Sequence, residues 1–276
     1  MIAGANLLGI ERAVDLGASI LRQGRSHLGA LVAKGDRDFA TAVDLQAEDA
    51  VKAALHDLTP DVPFLGEEHL GAQLGNGPIW VLDPIDGTVN FSRGSPLCGI
   101  SLALLLDGRP RLAIVDLPFL RERYVALEGA GAFLNGRPVH CAPVSSLREA
   151  VVGLSDFSVG HDAPTENPLH LALVARLAAS ALRVRFHGSE ALDLAWTASG
   201  RLGATIMLSN LPWDVSGGVL LVREAGGVVV DLDGTRHTPG SRCTVACTRG
   251  LQQPLLELIA DVPEAAAYLR SDQDVR

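Results

Sequence analysis

Short apolar segments alternate with helical patterns through the second half of the chain, and this alternation limits the possible folds more than any other feature. Strands are predicted at 150–154, 184–186, 204–207, 227–230 and 244–247. Helices are predicted at 168–181, 190–199, 214–225 and 251–259. Strands that alternate with helices of this length are typical of an α/β layer.

The first half has a different pattern. Apolar residues at helical spacing predict a long amphipathic helix over 6–32, and a second helical pattern begins at Asp44, after a turn-like stretch at 34–38. Strands are predicted at 63–65, 79–82, 101–106, 111–115 and 123–127, with hairpin-type turns at 107–108 and 135–136. This half is therefore predicted to combine helices with a largely antiparallel sheet.

The two patterns predict two closely packed units. Residues 1–142 would hold the N-terminal helices and the antiparallel sheet, and residues 143–276 the α/β layer. A chain of 276 residues exceeds the typical domain of roughly 100–200 residues, which agrees with this division.

Composition excludes several classes of function. The net charge of −9 argues against a nucleic-acid backbone as the main partner. No apolar run approaches the ~20 residues that span a bilayer, and the N-terminus does not resemble a signal peptide, so we expect a soluble cytoplasmic protein. Four scattered cysteines, at 98, 141, 243 and 247, are interpreted as reduced core residues and not as a zinc site.

The most informative segment runs from residue 80 to residue 88. An apolar run ends in Asp83 and Asp86, three residues apart, and Pro84 and Gly87 control the turn. At the end of a strand both carboxylates can face one point, and the amides of Gly87 and Thr88 can bind an anion if a helix begins there. The same string also fits a solvated turn, because every residue in it is common in turns.

Two further acidic sites favour the functional interpretation. Glu67 follows another apolar run, and Asp214 begins a strongly apolar helix. A buried carboxylate is costly unless a cation or hydrogen bonds compensate it. Three such sites fit a cage for a hard metal better than three unrelated turns, and an acidic protein that binds phosphate needs such cations as intermediaries.

These motifs resemble the inositol monophosphatase family. The resemblance rests on Glu67, the segment 83–88 and Asp214 after a tryptophan, with supporting matches at 40–44 and 226–227. It extends from about Lys34 to the region of Cys247. The resemblance implies an α/β (α+β) layered sandwich with alternating helix and sheet layers (αβαβα). It also implies a Mg²⁺-dependent, lithium-sensitive phosphatase related to fructose-1,6-bisphosphatase.

The resemblance also implies a set of metal ligands. Glu67, Asp83 and the main-chain carbonyl of Ile85 would hold a first Mg²⁺ ion. Asp83 would bridge to a second ion, completed by Asp86 and Asp214. A third, weaker ion near Glu67 is usual in the family, so two to three ions are expected per subunit.

Catalytic roles follow from the same resemblance. Glu67 would orient a water molecule, and Thr88, hydrogen-bonded to Asp44, would polarise it or accept its proton. The amides of Gly87 and Thr88 would bind the phosphate, and water would attack in line without a phosphoenzyme. Taken singly, Asp44, Thr88 and Asp214 each also fit a helix cap. The histidines at 140 and 187 have no patterned partner and are interpreted as structural.

The resemblance also implies a set of substrate contacts. They are predicted to involve a group of residues on both sides of the metal ligands: Asp86, Gly87, Thr88, Gly188, Ser189, Glu190 and Asp214. Two positions depart from the inositol-type pattern. Met207 stands where inositol-specific members carry a glutamate, although a loop shift could let Ser209 or Asn210 take the place of that glutamate. Glu190 stands where a small residue is common.

Several substrates therefore stay open. Inositol 1-phosphate or a similar polyol phosphate is the first hypothesis, and histidinol phosphate the second, because Glu190 could pair with an amine. Fructose 1,6-bisphosphate and 3′-phosphonucleotides follow, and a non-enzymatic regulatory protein on the same scaffold is the hypothesis of a different class. A homodimer is expected from the family, with the apolar strands over 101–115 as a candidate interface.

Overall fold

The computed structural model describes residues 7–25, 31–35, 38–69, 71–208 and 210–271. Its helices are α1 (Leu7–Gly24), α2 (Ala42–Leu58), α3 (Thr88–Ser92), α4 (Ala163–Ser180), α5 (Glu190–Ala198), α6 (Pro212–Glu224), α7 (Gln252–Ala260) and α8 (Pro263–Ser271). Its strands are β1 (Leu31–Gly35), β2 (Asp38–Thr41), β3 (Phe64–Gly66), β4 (Pro78–Asp86), β5 (Gly99–Leu106), β6 (Arg109–Leu117), β7 (Glu122–Leu127), β8 (Gly131–Leu134), β9 (Arg137–Val139), β10 (Val151–Leu154), β11 (Arg183–Phe186), β12 (Ala204–Leu208), β13 (Val228–Val230) and β14 (Cys243–Cys247).

The strands form two large sheets and one hairpin. The larger sheet has seven strands in the order β3-β4-β5-β6-β7-β8-β9, antiparallel except for the parallel pair β3–β4. The smaller sheet has five strands in the order β11-β10-β12-β14-β13. In it β10 runs parallel to β11 and β12, and β14 runs antiparallel to β12 and β13. Strands β1 and β2 form a separate hairpin.

Helices and sheets alternate in layers. Helices α1 and α2 pack on one face of the seven-stranded sheet, where Val14 and Val51 meet Ile100 in one core cluster. Helices α5 and α6 lie between the two sheets, and α4, α7 and α8 cover the outer face of the five-stranded sheet. The order is αβαβα, which confirms the predicted fold class. Among the described residues, no helix is long and apolar enough to cross a membrane.

The central strands of the larger sheet are buried on both faces. In β5, Leu102 faces the cluster under α1 and α2, whereas Ala103 and Leu105 face the opposite side. In β6, Ile114 faces the cluster under α1 and α2, and Val115 faces the opposite side. The expectation that strands over 101–115 supply a dimer interface is therefore wrong, because both of their faces are already covered within this chain.

Local differences from the predicted elements have identifiable reasons. The first helix ends at Gly24 and not near residue 32, and Leu31–Gly35 forms a strand. Helix α4 begins at Ala163, before the predicted start at residue 168, because Pro164 occupies the first turn that prolines favour. Strands β8 and β9 and helix α8 were not predicted. The three cysteines at 98, 243 and 247 are buried, Cys141 is partly buried, and all four are free.

Candidate active site

Asp83 and Asp86 lie at the end of β4, one of the buried central strands. Oδ1 of Asp83 accepts a hydrogen bond of 2.9 Å from the Ile85 amide. Asp86 accepts hydrogen bonds from the amides of Glu190 and Ala191, at 3.1 and 3.0 Å. The turn that follows β4 is therefore tied directly to the first turn of α5, from the other half of the chain.

Gly87 is required at the end of this turn. Its φ angle is 85°, in the left-handed region that favours glycine. A Cβ atom there would lie 2.9 Å from the carbonyl oxygen of Gly188 and 3.0 Å from that of Leu97. The backbone consequently passes close to the 188–189 segment before α3 begins at Thr88.

Glu67 is held beside β4 by backbone pairing and by a buried carboxylate. The Glu67 amide donates to the carbonyl of Leu82, at 3.2 Å, which extends the parallel pairing of β3 with β4. Glu48, fully buried on α2, accepts hydrogen bonds from the amides of Glu68 and His69, at 2.9 and 2.8 Å. Sequence reasoning missed Glu48. Its signal was a carboxylate placed one turn after Asp44 on the apolar face of α2.

Lys34 reaches this acidic loop from the β1–β2 hairpin. Its Nζ lies 2.6 Å from Oε1 of Glu67 and 2.6 Å from Oε1 of Glu68. Burial opposes the charged form of Lys34, but its hydrogen bonds with the two glutamates raise its pKa overall. Burial raises the pKa of Glu68 to about 7, against the influence of Lys34. The predicted turn at 34–38 contains residues 36–37, which lie outside the described part of the chain.

Asp44 and Thr88 are in contact, as the resemblance implied. Oγ1 of Thr88 lies 3.1 Å from Oδ1 of Asp44 and 3.0 Å from the carbonyl oxygen of Ile85. One hydroxyl proton can serve only one of these acceptors at a time. Asp44 also accepts hydrogen bonds from the amide and hydroxyl of Thr41 and completes a capping box at the start of α2. It is thus a helix cap in addition to being the partner of Thr88.

Asp214 lies in the first turn of α6 and is partly exposed. Its amide donates to the Leu211 carbonyl at 3.1 Å. Burial raises its pKa well above the usual range, and the charges of Glu190, Asp86 and Glu67 raise it further. The predicted ligand from the second half of the chain therefore lies within the electrostatic field of those from the first half.

The buried acids repel one another. Burial raises the pKa of Asp83 well above its usual range, and Glu67, Asp86 and Asp214 add to the shift. Burial also raises the pKa of Asp86 to about 6, although its hydrogen bonds with Ser189 and the α5 amides act in the opposite direction. Such a cluster is compensated most directly by a hard cation with oxygen ligands.

The carboxylates are not preassembled as a complete ligand group. Within the described ranges, no three Asp, Glu, His or Cys side chains are already placed to hold a metal ion together. The oxygens instead accept hydrogen bonds from Ile85, Ser189 and the α5 amides, and Lys34 contacts Glu67. The donor chemistry fits a hard cation, and Lys34 would oppose its binding at Glu67 through charge repulsion.

The segment before α5 is fixed by one asparagine. Nδ2 of Asn90 lies within hydrogen-bond distance of the carbonyl oxygens of Leu97, His187 and Gly188, at 2.8, 2.6 and 3.1 Å. Gly188 has a φ angle of 67°, which suits the turn into α5. Ser189 caps α5 by accepting from Leu192 and donates its hydroxyl proton to Asp86. Its hydroxyl thus positions Asp86.

Glu190 is half-buried beside the aspartates. Burial raises its pKa to about 8, and the charges of Asp86, Asp193 and Asp156 contribute. The region around Glu190 is therefore strongly acidic.

The position that departs from the inositol-type pattern, and the residues named as its replacement, have other surroundings. Met207 is fully buried in the core between the sheets. Asn210 uses its side-chain amide on Ser241 and Thr244, at 3.1 and 2.8 Å, and Ser209 lies outside the described residues.

One histidine interpreted as lacking a partner has one. Nδ1 of His187 lies 2.5 Å from Oδ1 of the buried Asp193, and Trp196 packs its edge against the imidazole ring with centroids 5.0 Å apart. Asp193 lies six residues after His187, beyond the three- or four-residue spacing of neighbours on one helix, so the pair was not visible as a sequence motif. It holds the segment before α5 against that helix.

Comparison with known proteins identifies this arrangement. A sequence model described as the Inositol monophosphatase family matches residues 9–265. The chain belongs to the inositol monophosphatase family. The resemblance stated from the motifs is therefore confirmed. As a member of this family of metal-dependent enzymes, the protein is a phosphatase, a phosphoric monoester hydrolase that acts on a small phosphate monoester.

Individual relatives align with this chain over most of their length. The chain is 38% identical over 240 residues to inositol-1-monophosphatase ImpA of Mycolicibacterium smegmatis, covering 86% of each chain. It is 30% identical to a Thermotoga maritima fructose-1,6-bisphosphatase/inositol-1-monophosphatase, covering 83% of this chain and 86% of the relative. The solved structure of the extragenic suppressor protein suhB from Bartonella henselae superposes with a TM-score of 0.87 at 26% identity, covering 94% of this chain and 99% of that one.

Proposed function

We propose that this phosphatase uses Mg²⁺ ions to hydrolyse inositol 1-phosphate or a similar polyol phosphate. The observation that supports the proposal is the electrostatic convergence of four acids from three separate elements. Glu67 follows β3, Asp83 and Asp86 end β4, and Asp214 begins α6. Separate turns would have no reason to bring these charges together in a buried place.

We propose that Glu67, Asp83, Asp86, Asp214 and the main-chain carbonyl of Ile85 hold two to three Mg²⁺ ions. When bound, such ions neutralise phosphoryl charge and make water more acidic. Oxygen-only ligands of this kind suit Mg²⁺ better than zinc.

Residues of the chain itself would orient the attacking water, bind the phosphate and contact the leaving group. Glu67 and Thr88 orient the attacking water, and Asp44 accepts the hydrogen bond that fixes the Thr88 hydroxyl. The amides of Gly87 and Thr88 lack acceptors within α3 and are available to phosphate oxygens. Gly188, Ser189 and Glu190 border the leaving group, with Ser189 also holding Asp86.

The metal assignment is tested by Asp86→Asn. Loss of one charged ligand is expected to lower Mg²⁺-dependent phosphate release by about 100-fold or more. Binding of Mg²⁺ measured by calorimetry should weaken in parallel. Turnover that survives undiminished in this variant would show that the metal assignment is wrong.

A second substrate has a specific observation in its favour. Asp156 adds to the negative potential at Glu190, and the position where a hydroxyl-binding glutamate would stand is the buried Met207. An amine on the leaving group, as in histidinol phosphate, would complement that acidic region. The Thermotoga relative's name adds fructose 1,6-bisphosphate to the substrates worth testing.

A substrate panel separates these possibilities. Phosphate release should be measured with Mg²⁺ on inositol 1-phosphate, histidinol phosphate, fructose 1,6-bisphosphate and 3′-phosphoadenosine 5′-phosphate. The polyol proposal expects the highest kcat/KM for inositol 1-phosphate. A higher value for histidinol phosphate that falls in Glu190→Gln would replace it with the amine hypothesis.

We further propose lithium inhibition, a homodimer and a cytoplasmic location. Li⁺ would compete with Mg²⁺ for the carboxylate oxygens, so full activity at high millimolar Li⁺ would contradict that expectation. Light scattering coupled to gel filtration measures the oligomeric state, and cell fractionation the location.

A further inference from the structure

A cavity of about 290 Å³ lies on the side of α6 that faces the β5–β6 turn. Its walls come from three parts of the chain: the start of β6, the helix α6, and the segment that follows β13. Val215 and Val219 supply an apolar wall, whereas Arg109, Arg223 and Arg236 supply the charged one. None of these residues belongs to the proposed catalytic group.

The three arginines have no acidic partner in the part of the chain that the structure describes. Among the described residues, no ion pair involves Arg109, Arg223 or Arg236. Asp107 is the one acid in the described lining, and its Oδ1 accepts a hydrogen bond of 2.9 Å from Gly77. Burial, followed by the charge of Arg223, lowers the pKa of His237 to about 4, so this side chain adds no charge at neutral pH.

An adjoining cavity of about 610 Å³ shares the same three arginines and adds Arg249. Its two glutamates are already engaged. Glu224 accepts hydrogen bonds from the amides of Gly129 and Gly131, at 2.9 and 2.8 Å. Glu128 pairs with Arg111. Glu224 keeps its charge but faces four arginines in this lining, and the charge of Glu128 is balanced by Arg111, so the arginine group retains an excess of positive charge.

The excess of positive charge carries an energetic cost at Arg223, because this side chain is partly removed from water. It is partly buried, and one of its nitrogens donates to the His237 carbonyl at 3.0 Å. Burial lowers its pKa, and repulsion from Arg236 lowers it further. A guanidinium group carries five N–H donors, so most of those on Arg223 have no protein acceptor in the described part of the chain. A protein of net charge −9 has no need of such a group for solubility.

We propose that this arginine cavity binds a small phosphorylated molecule, or free phosphate, at a site separate from the catalytic one. Planar guanidinium groups bind phosphate oxygens in pairs, and a dianion matches more than one arginine. The volume accommodates a phosphate with a small organic group, which would pack on Val215 and Val219. Because Val215 directly follows Asp214, the ligand would contact the first turns of the helix that carries a proposed metal ligand.

In the experiment, inorganic phosphate is titrated into the full-length Asp86→Asn protein in EDTA at constant ionic strength, and calorimetry measures the heat of binding. This background removes the cations through which the catalytic site would hold phosphate. One saturable site is expected. The double variant Arg223→Gln/Arg236→Gln should weaken phosphate binding by about tenfold or more. The single variant Arg236→Gln, at an exposed position, should weaken it measurably even if Arg223 matters for folding.

The matched control removes the same charge elsewhere. Arg183→Gln/Arg185→Gln changes two exposed arginines on β11, at the opposite edge of the five-stranded sheet from β13. It should bind phosphate as its parent does. Absence of saturable binding, undiminished binding in both arginine-cavity variants, or equal loss in the control would each overturn the proposal. Tighter binding of succinate than of phosphate would also overturn it. Wild-type turnover is measured separately, so a failure here leaves the proposed hydrolysis standing.

Discussion

The ammonium nitrogen of Lys34 lies 2.6 Å from Oε1 of Glu67, so a basic side chain occupies the position next to a proposed metal ligand. The same nitrogen contacts Glu68, also at 2.6 Å. Lys34 thus supplies to the acidic loop the positive charge that a divalent cation would supply. A cation that binds at Glu67 would be repelled by this ammonium group.

Lys34→Met is therefore expected to strengthen Mg²⁺ binding by about threefold, since a partly exposed ion pair contributes up to about 1 kcal/mol. Calorimetric titration with Mg²⁺ measures the effect. Lys52, the other lysine of the chain, lies 5.5 Å from the Phe64 ring and provides the control Lys52→Met, which should leave the affinity unchanged. Weaker binding in Lys34→Met would mean that Lys34 supports the ligands and does not compete with the cation.

Removal of divalent cations should destabilise the protein more as the pH rises. The pKa of Asp86 is raised from 3.8 to about 6 in the folded protein, so protonation favours folding and stability is lost as the pH rises from about 4 to about 6. Glu190, with a pKa of about 8, extends the loss toward pH 8. A loss of about 2 kcal/mol corresponds to about 5 °C in Tm for a chain of this size.

Melting curves in EDTA and in Mg²⁺ between pH 5 and pH 8 measure this dependence. The difference in Tm between the two conditions should widen with pH, because the cation compensates charges that exist only after deprotonation. An equal difference at both ends of the range would contradict the expectation. Asp86→Asn, with one fewer ionisable group, should show a smaller change over the same range.

The loop that carries Glu67 depends on Glu48. Glu48→Ala leaves the amides of Glu68 and His69 without their buried acceptor and is expected to cost about 2 kcal/mol of unfolding free energy. Asp49, whose side chain is 70% exposed, provides the control Asp49→Ala, with a change within about 0.5 kcal/mol. Denaturant unfolding measures both. Similar losses in the two variants would show that Glu48 has no special role.

The aspartate turn was predictable from sequence because all of its information is local. An apolar run, a proline, a glycine and two aspartates within residues 80–88 define a strand, its end and the acidic turn. The αβαβα order was available only through the resemblance. Strand alternation predicts an α/β layer in the second half, but not that α5 and α6 lie between the two sheets.

Contacts between distant segments were not predictable. Glu48 and the Glu67 loop are brought together only by the packing of α2 on the larger sheet. The sequence places Lys34 only in a turn-like stretch, since nothing in a lysine near a glycine shows which side chains face it. Met207 lies seven residues before Asp214, at the position where inositol-specific members carry a substrate-binding glutamate. In the structure its side chain faces the core. Neighbouring residues of a strand point to opposite faces, so a shift of one residue decides whether a side chain lies in the core or outside it.

The hydroxyls of Thr88 and Thr41 donate hydrogen bonds to the same carboxylate, that of Asp44. Variants of the two threonines can therefore distinguish a role in catalysis from a role in helix capping. Thr88 donates to Oδ1 of Asp44 and Thr41 to Oδ2. Thr88→Ala removes the hydroxyl proposed to orient water and should lower kcat by about 10- to 100-fold with little change in stability. Thr41→Val removes the cap at α2 and should cost about 1 kcal/mol of stability.

The expected pattern is thus a loss of kcat in one variant and a loss of stability in the other, since only Thr88 stands next to the proposed ligand Ile85. Steady-state kinetics at saturating Mg²⁺ and denaturant unfolding of both variants measure it. If Thr41→Val lowers kcat as far as Thr88→Ala does, the two hydroxyls act together by holding Asp44. Thr88 would then be a positioning residue and not a direct contact of the water.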